Sequence, residues 1–278
     1  MRIGAWVTTG INLYNNYQRH YQTMSTAMQR ISSGYRINSA ADDAAGLAIS
    51  EKMRAQIRGL DMASRNIQDG ISLVQTAEGA LHETQAILHR MRELSVQAAN
   101  DTLTDNDRSL IEVEFQELKK EITRIGNDTE FNTRTLLNGD YATDSLKIQA
   151  GANAGQTIQL TLNDMRGTAL GLDTLSLATR DQANASIAAL DISLNSVSSE
   201  RARLGAYQNG MEQAYNNVTN TSENLTAAES RIRDADIAKE MMNLVKADIL
   251  SQASHRLMAI HMQQAYSILK LLDIYPRR

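Results

Sequence analysis

The start of the chain carries apolar and aromatic side chains at heptad spacing. Steps of three and four residues alternate, which predicts a helix with a single apolar seam. Gly34 stands just past the last of these positions, and a Gly there is typical of a helix end. A second acid-poor seam occupies the other end of the chain. The two together form the predicted terminal seam, which consists of Tyr14, Tyr17, Tyr21, Met24, Met28, Ile31, Leu250, Leu257, Ile260 and Leu271.

Two much longer helical patterns lie between these ends. One begins near Asp42 and Asp43, whose carboxylates suit a helix N-terminus, and continues to about Ala99. Such a helix is roughly 85 Å long at about 1.5 Å per residue. A shorter helix follows, with Thr104 as its predicted N-cap. The other long pattern places an apolar residue at every seventh position and favours antiparallel pairing with the first. These positions are the predicted rod seam, namely Leu190, Val197, Leu204, Met211, Val218, Leu225 and Ile232.

One segment near the middle of the chain has strand periodicity. Apolar residues alternate with polar ones from Leu146 to Ala150 and again from Ile158 to Leu162, and residues 151–156 separate the two runs. This arrangement predicts a β-hairpin.

The order of elements is mirror-like, so the simplest packing folds the chain back at the hairpin. The predicted fold is mainly α, with long antiparallel helices in a coiled-coil rod, a small β-hairpin, and both termini forming a paired-helix core domain. The predicted domains are the N-terminal half of the core with its connector at 1–41, rod helices and hairpin at 42–178, the C-terminal rod helix at 179–235, and the C-terminal half of the core at 236–278.

Composition and charge exclude several classes of function. The chain has one Pro, no Cys and 4% aromatic residues, which is typical of long packed helices and leaves no thiolate site. Net charge is −4, although residues 1–41 contain four Arg and no acid. A negative chain without a basic face argues against nucleic-acid binding. We expect no membrane insertion, because no apolar run reaches the ~18 residues of a span. We also expect no cleaved secretory signal, because the start of the sequence lacks a basic segment followed by an apolar core and a small-residue cleavage site.

The candidate chemistry argues against an enzyme. His82, Glu83 and His89 resemble a zinc helix, but that motif needs the two His four positions apart, and here they are seven apart. His255 and His261 are six apart and do not share a helix face. We found neither a phosphate-binding glycine loop nor a nucleophile elbow. We therefore expect no catalytic residue, no metal and no cofactor. Exposed seams at both ends instead predict an assembly protein, since apolar seams are costly to leave uncovered.

Several long runs resemble one family closely. They include SGYRINSAADDAAGLAISEKMR at 33–54, RMRELSVQAAN at 90–100 and AAESRIRDAD at 227–236, together with 56–60, 75–80 and 249–253. All of these are similar to bacterial flagellin. The resemblance implies a structural subunit that polymerises into the flagellar filament for motility. It also implies an extracellular filament location and export through the flagellar secretion channel without a cleaved signal.

Partners follow from the same resemblance. A flagellin is expected to bind further copies of itself, a flagellar export chaperone, the filament cap and the hook–filament junction proteins. Some flagellins are recognised by Toll-like receptor 5, and the corresponding positions here are Arg90, Leu94 and Glu114. The alternative is that these three residues serve subunit packing.

The two ends depart from the family pattern, at residues 4–8 and at 263–266. These departures keep open a hook–filament junction protein or a minor flagellin. Two alternatives of other classes are an enzyme carried on a flagellin scaffold, which the short middle region argues against, and a soluble module that binds a host receptor.

Overall fold

The structure, a computed structural model, describes the backbone of residues 3–273 and the side chains of residues 8–267 and 270. Its helices are α1 (Ile3–Ser33), α2 (Ala44–Ala98), α3 (Asp105–Asp128), α4 (Arg180–Arg233) and α5 (Ile237–Asp273). Its strands are β1 (Glu130–Phe131), β2 (Arg134–Thr135), β3 (Leu146–Gln149) and β4 (Thr157–Leu160).

Short polar side chains set the helix starts. The Asp43 carboxylate accepts a hydrogen bond from the Gly46 N–H at 2.8 Å, which caps α2. Thr104 and Asp107 form a capping box at the start of α3, in which each side chain accepts from the other's backbone N–H. These bonds satisfy amide groups that have no partner within the helix.

The chain forms two compact units. The first contains residues 1–55 and 225–278, and the second contains residues 56–224. We refer to them as the terminal unit and the central unit.

In the central unit, α2 and α4 are antiparallel. Arg92 pairs with Asp191 at 2.7 Å, whereas Arg201, further along α4, reaches back to Gln85 at 2.6 Å. The α3 helix adds the fully buried Phe115 to their core. The loops after β2 and β4 add further buried side chains, which are Leu136, Leu137, Leu162, Met165, Leu170, Leu172, Leu175 and Leu177.

The β3–β4 hairpin lies on α2. Its register pairs Ile148 with Ile158, and the Asn66 side-chain amide donates to the Gln149 carbonyl at 3.3 Å. Gly59 allows the hairpin turn to approach α2 closely, because a Cβ atom at that position would lie 2.8 Å from the Cβ atom of Ala152. A small side chain on either partner is therefore a condition of this packing.

In the terminal unit, α1 and α5 run antiparallel and approach closely, with Cα atoms within 8 Å of each other. The side chains at the contact set the distance between two packed helix axes, which is typically about 8–10 Å. An approach this close therefore requires small residues at the contact.

The predicted fold class is confirmed. Sequence reasoning missed the β1–β2 pair, whose strands are two residues long and whose turn places Asn132 and Thr133 at positive φ. The compact units divide the chain at other positions than the predicted domains 1–41, 42–178, 179–235 and 236–278, which remain a prediction.

Candidate assembly surfaces

The contact face of the terminal helix pair is made of small and polar residues. On α5 the buried positions are Glu240, Ala247, Ser251 and Ser254, and on α1 the most buried is Ala27. Steps of three, four and seven residues separate the α5 positions, which is heptad geometry. The close approach of the two helices follows from this choice of small side chains.

Three contacts fix the register of the pair. Arg30 donates to the Glu240 carboxylate at 3.2 Å, and the Tyr17 and His255 rings lie with centroids 6.1 Å apart. A Cβ atom at Gly10 would lie 3.2 Å from the His261 ring, so the absence of a side chain at Gly10 leaves room for that imidazole.

Outward from this contact, α1 carries an exposed apolar stripe. We define the α1 stripe as Ile11, Tyr14, Tyr21 and Met28, whose exposed fractions lie between 51 and 57%. Steps of three and seven residues align them along one side of the helix. About half of each stripe side chain is thus open to solvent, although Tyr14 accepts a hydrogen bond from Gln18 and the Tyr21 ring stacks on Tyr17 of the same helix.

A second exposed apolar surface lies on the first half of α5. We define the α5 patch as Met241, Met242, Val245, Ile249 and Leu250, whose exposed fractions lie between 37 and 66%. Together with the Lys246 side chain they line a shallow depression. Exposed patches of this kind mark interaction sites on soluble proteins.

The predicted terminal seam divides between contact face and outer surface. Tyr14, Tyr21 and Met28 are exposed on the α1 stripe, whereas Tyr17, Met24 and Ile31 are half-buried. On α5, the side chains of Leu250, Leu257 and Ile260 are exposed, and Leu271 lies outside the described side chains.

The predicted rod seam lies inward over most of its length. Leu190, Val197, Leu204 and Met211 are fully buried in the central unit, where Val218 is also buried. In the terminal unit, Leu225 and Ile232 are half-buried.

The three predicted receptor positions lie on α2 and α3 but differ in exposure. Arg90 donates to the Glu114 carboxylate at 2.9 Å, and both side chains are exposed. The hydrogen bond that Arg90 donates to Glu114, with a second one that it donates to Glu93, raises the pKa of Arg90. Leu94 is 1% exposed and belongs to the helical core, so it offers almost no surface to a receptor.

A backbone bridge joins the segment after α1 to the segment after α4. The Arg36 N–H donates to the Arg233 carbonyl at 2.7 Å, and the Ala235 N–H donates to the Gly34 carbonyl at 2.9 Å. The Arg233 guanidinium lies 4.8 Å from the centre of the Tyr35 ring. We call this arrangement the connector clasp.

Two kinds of site are not found in the part of the chain that the structure describes. No three His, Asp or Glu side chains converge as metal ligands do. Among residues 3–273, no helix is long and apolar enough to cross a membrane.

Comparison with known proteins identifies the family. The model of the bacterial flagellin N-terminal helical region matches residues 8–142, and that of the bacterial flagellin C-terminal helical region matches residues 187–272. The chain is 50% identical over 264 residues to a flagellin of Halalkalibacterium halodurans, covering 94% of this chain and 96% of that one. The chain belongs to the bacterial flagellin family. The function predicted for this flagellin, a structural subunit that polymerises into the flagellar filament, is confirmed.

Solved structures agree with this assignment. The crystal structure of Bacillus cereus flagellin matches with a TM-score of 0.51 and 34% identity, covering 59% of this chain and 94% of that one. A flagellar hook-associated protein from Vibrio parahaemolyticus matches with a TM-score of 0.59 and 17% identity, covering 69% of this flagellin and all of that chain. At that identity the second likeness shows the fold alone, so it gives the hook–filament junction alternative no support.

Sequence reasoning missed the α5 patch and the connector clasp. Only Leu250 of the patch was among the predicted site residues. The signal that could have found the rest is the step of three and four residues that joins Met242, Val245 and Ile249.

Proposed function

We propose that this flagellin polymerises through the outer faces of its terminal helix pair. The α1 stripe and the α5 patch pack against neighbouring copies, while the small residues between α1 and α5 hold the pair together. The observation that supports this proposal is the separation of the two roles. Large apolar side chains of both helices are exposed. The most buried positions of the contact between them are mainly Ala and Ser, joined by the Arg30–Glu240 pair and the Tyr17–His255 ring contact.

The apolar surface is large enough to drive association. Covering the five partly exposed side chains of the α5 patch is worth about 4–8 kcal/mol, at about 1.5–3 kcal/mol per fully covered side chain. The α1 stripe adds about 3–6 kcal/mol on the same basis. Association of two chains costs on the order of 4–15 kcal/mol, so both surfaces are required, together with further contacts.

Charge also separates α1 from the rest of the chain. The α1 helix contains no Asp or Glu but carries Arg19 and Arg30, and the whole chain is negative. A basic terminal helix in an acidic subunit supports packing against acidic surfaces of neighbouring copies.

Seeded polymerisation tests the proposal. Purified chain is added to sheared filament ends, and growth is followed by electron microscopy. Tyr21→Gln and Met28→Gln each expose a polar group where the α1 stripe is covered, so elongation is expected to fall about tenfold or more, where tenfold corresponds to about 1.4 kcal/mol. Gln29→Ala changes a neighbouring exposed polar side chain and serves as the matched control. Elongation of both stripe variants at the rate of the control would contradict the proposal.

The predicted rod domain and its seam have a proposed role in the filament as well. We propose that the predicted rod domain, residues 42–235, provides the filament's outer contacts and that its seam stiffens α4. The full burial of Leu190, Val197, Leu204 and Met211 supports this role.

Partners other than further copies follow from family membership. We propose that an export chaperone binds α5 before assembly, because the apolar surface of α5 is exposed to water while the chain is unassembled. Export is proposed to use the flagellar secretion channel without a cleaved signal. The filament cap and the hook–filament junction proteins are proposed to contact the chain at the two filament ends. The proposed role is structural and not enzymatic.

A second proposed activity is recognition by Toll-like receptor 5. It depends on Arg90 and Glu114, since Leu94 is buried. Arg90→Ala in the unassembled chain is expected to weaken receptor binding about tenfold, which would reflect the loss of a paired exposed cation. Lys120→Ala changes another exposed cation on the central unit and is the control. Equal binding of both variants would assign Arg90 to subunit packing alone.

A further inference from the structure

Two methionines stand side by side on the α5 patch. Met241 is 45% exposed and Met242 is 66% exposed, and Val245, Ile249 and Leu250 complete the apolar surface around them. Both thioether side chains are therefore open to dissolved oxidants while the chain is unassembled.

Methionine reacts with hydrogen peroxide without further reagents. The thioether sulfur attacks one peroxide oxygen, the O–O bond breaks, and the second oxygen leaves as water after taking up a proton. Sulfur loses two electrons and the peroxide gains them. The product, a sulfoxide, has nearly the same shape as the thioether but carries a strongly polar oxygen.

We propose that Met241 and Met242 form an oxidation site that controls assembly. Sulfoxide at these positions prevents the unassembled chain from adding to a filament, and packing in the filament protects both sulfurs from peroxide. This inference rests on the proposed function, in which a second copy of this chain covers the α5 patch.

The surroundings of the two side chains explain the expected effect. A sulfoxide oxygen buried against a second copy loses its water, and the patch surrounds it with Val, Ile and Leu side chains. The Lys246 ammonium is the only side-chain donor among the residues that line the described depression. A polar group without a hydrogen-bond partner opposes burial, so elongation is expected to fall about tenfold or more per sulfoxide.

Other methionines of the chain provide internal references. Met91 and Met211 are fully buried, so they report whether the treated chain is still folded. Met62 lies on α2 in the central unit and is 53% exposed, between the values of the two patch methionines. It is therefore a matched exposed methionine outside the terminal unit.

The experiment treats unassembled chain with dilute hydrogen peroxide, removes the peroxide with catalase, and measures seeded elongation. Met28 of the α1 stripe is also an exposed thioether, so it is removed in a matched pair of variants. Wild type, the control Met62→Leu, Met28→Leu alone, and the triple variant with Met28→Leu, Met241→Leu and Met242→Leu are each compared with their own untreated portion. Peptide mass spectrometry reads which methionines have gained oxygen, and circular dichroism checks helix content. Intact filaments receive the same treatment.

Wild type, Met62→Leu and Met28→Leu are expected to lose elongation about tenfold or more, and the triple variant is expected to keep its own untreated rate. In filaments, Met241 and Met242 are expected to gain oxygen much more slowly than in the unassembled chain. A thiol-dependent methionine sulfoxide reductase should restore elongation of treated wild type.

Three results would overturn the inference. The inference is overturned if wild type elongates at its untreated rate although Met241 and Met242 both carry sulfoxide. The test of the proposed function with Tyr21→Gln and Met28→Gln is separate and would still stand. Loss of elongation by the treated triple variant would assign the effect to another methionine. Equal oxidation in filaments and in unassembled chain would show that the α5 patch is uncovered, which contradicts both the inference and the α5 part of the proposed function.

Discussion

The close approach of the β3–β4 hairpin to α2 leads to a prediction at one glycine. In Gly59→Ala, the added Cβ atom would lie 2.8 Å from the Cβ atom and 3.1 Å from the Cα atom of Ala152. Neither atom can move by a side-chain rotation, so the hairpin turn itself must shift. Gly79 lies on the same helix with no heavy atom within 4 Å of its added Cβ atom, which makes Gly79→Ala the matched control.

The magnitude follows from two opposing effects. Ala is favoured over Gly inside a helix by about 0.5–1 kcal/mol, so Gly79→Ala is expected to stabilise the chain by that amount. Gly59→Ala receives the same benefit and adds the cost of overpacking, about 1–3 kcal/mol. The free energy of unfolding of Gly59→Ala is therefore expected to lie about 1–3 kcal/mol below that of Gly79→Ala.

Urea unfolding of the unassembled chain, followed by circular dichroism, measures this difference. A separate thermal scan provides a second reading, because 1 kcal/mol shifts the midpoint by about 2–4 °C at this size. Hydrogen exchange at the hairpin turn should also quicken in Gly59→Ala alone.

Equal stabilisation by the two substitutions would refute the reasoning, because it would show that the turn moves away at no cost. The double variant Gly59→Ala with Ala152→Gly removes the Cβ–Cβ contact and is expected to recover part of the lost stability. Strictly additive free energies would mean that the two residues do not interact.

Three further changes test other parts of the chain. Phe115→Ala is expected to cost about 3–5 kcal/mol in urea unfolding because the ring is fully buried, whereas Leu110→Ala, exposed on the same helix, should change stability by about 0.5 kcal/mol or less. Arg166 holds the pKa of Asp164 below its ordinary value, so this carboxylate stabilises the fold above pH ~4 and the stabilisation is lost as pH falls through the folded-state pKa. Asp164→Asn should therefore lose less stability than wild type between pH 7 and pH 3 in urea unfolding. Arg233→Met removes the cation from the connector clasp, and faster amide hydrogen exchange is expected at its two backbone hydrogen bonds.

Helix ends and the rod seam were predictable because local chemistry determines them. Gly34 has a φ of 75°, a conformation that a residue with a side chain rarely adopts, and α1 ends just before it. Thr104 caps α3 through its own hydroxyl. The sevenfold repeat of the rod seam could be read directly, since its members are large and apolar.

The contact between α1 and α5 was harder to predict. Its buried positions include Ala27, Ser251 and Ser254, which are small and add little to a hydrophobic pattern. The strongest pattern on α1 comes instead from Tyr14 and Tyr21, which are exposed. A heptad repeat therefore indicated a helix with an apolar side, but residue size determined which side meets the partner helix.

The receptor positions show another limit of sequence reasoning. Arg90 and Leu94 are four residues apart and share a side of α2, yet one is exposed and the other is buried. The boundary between surface and core passes between them because α3 and α4 pack against α2, and spacing along one helix does not locate that boundary.

The pairing of α1 with α5 has a consequence for the order in which the protein folds. Arg30 and Glu240 are in contact although they are 210 positions apart in the chain. Contacts of such high sequence separation form slowly, because the chain must lose the entropy of a very long loop before any contact energy is gained. A ribosome also completes α1 long before it makes α5. The α1 helix of each new subunit therefore has no α5 helix to pack against until synthesis of the chain is almost complete.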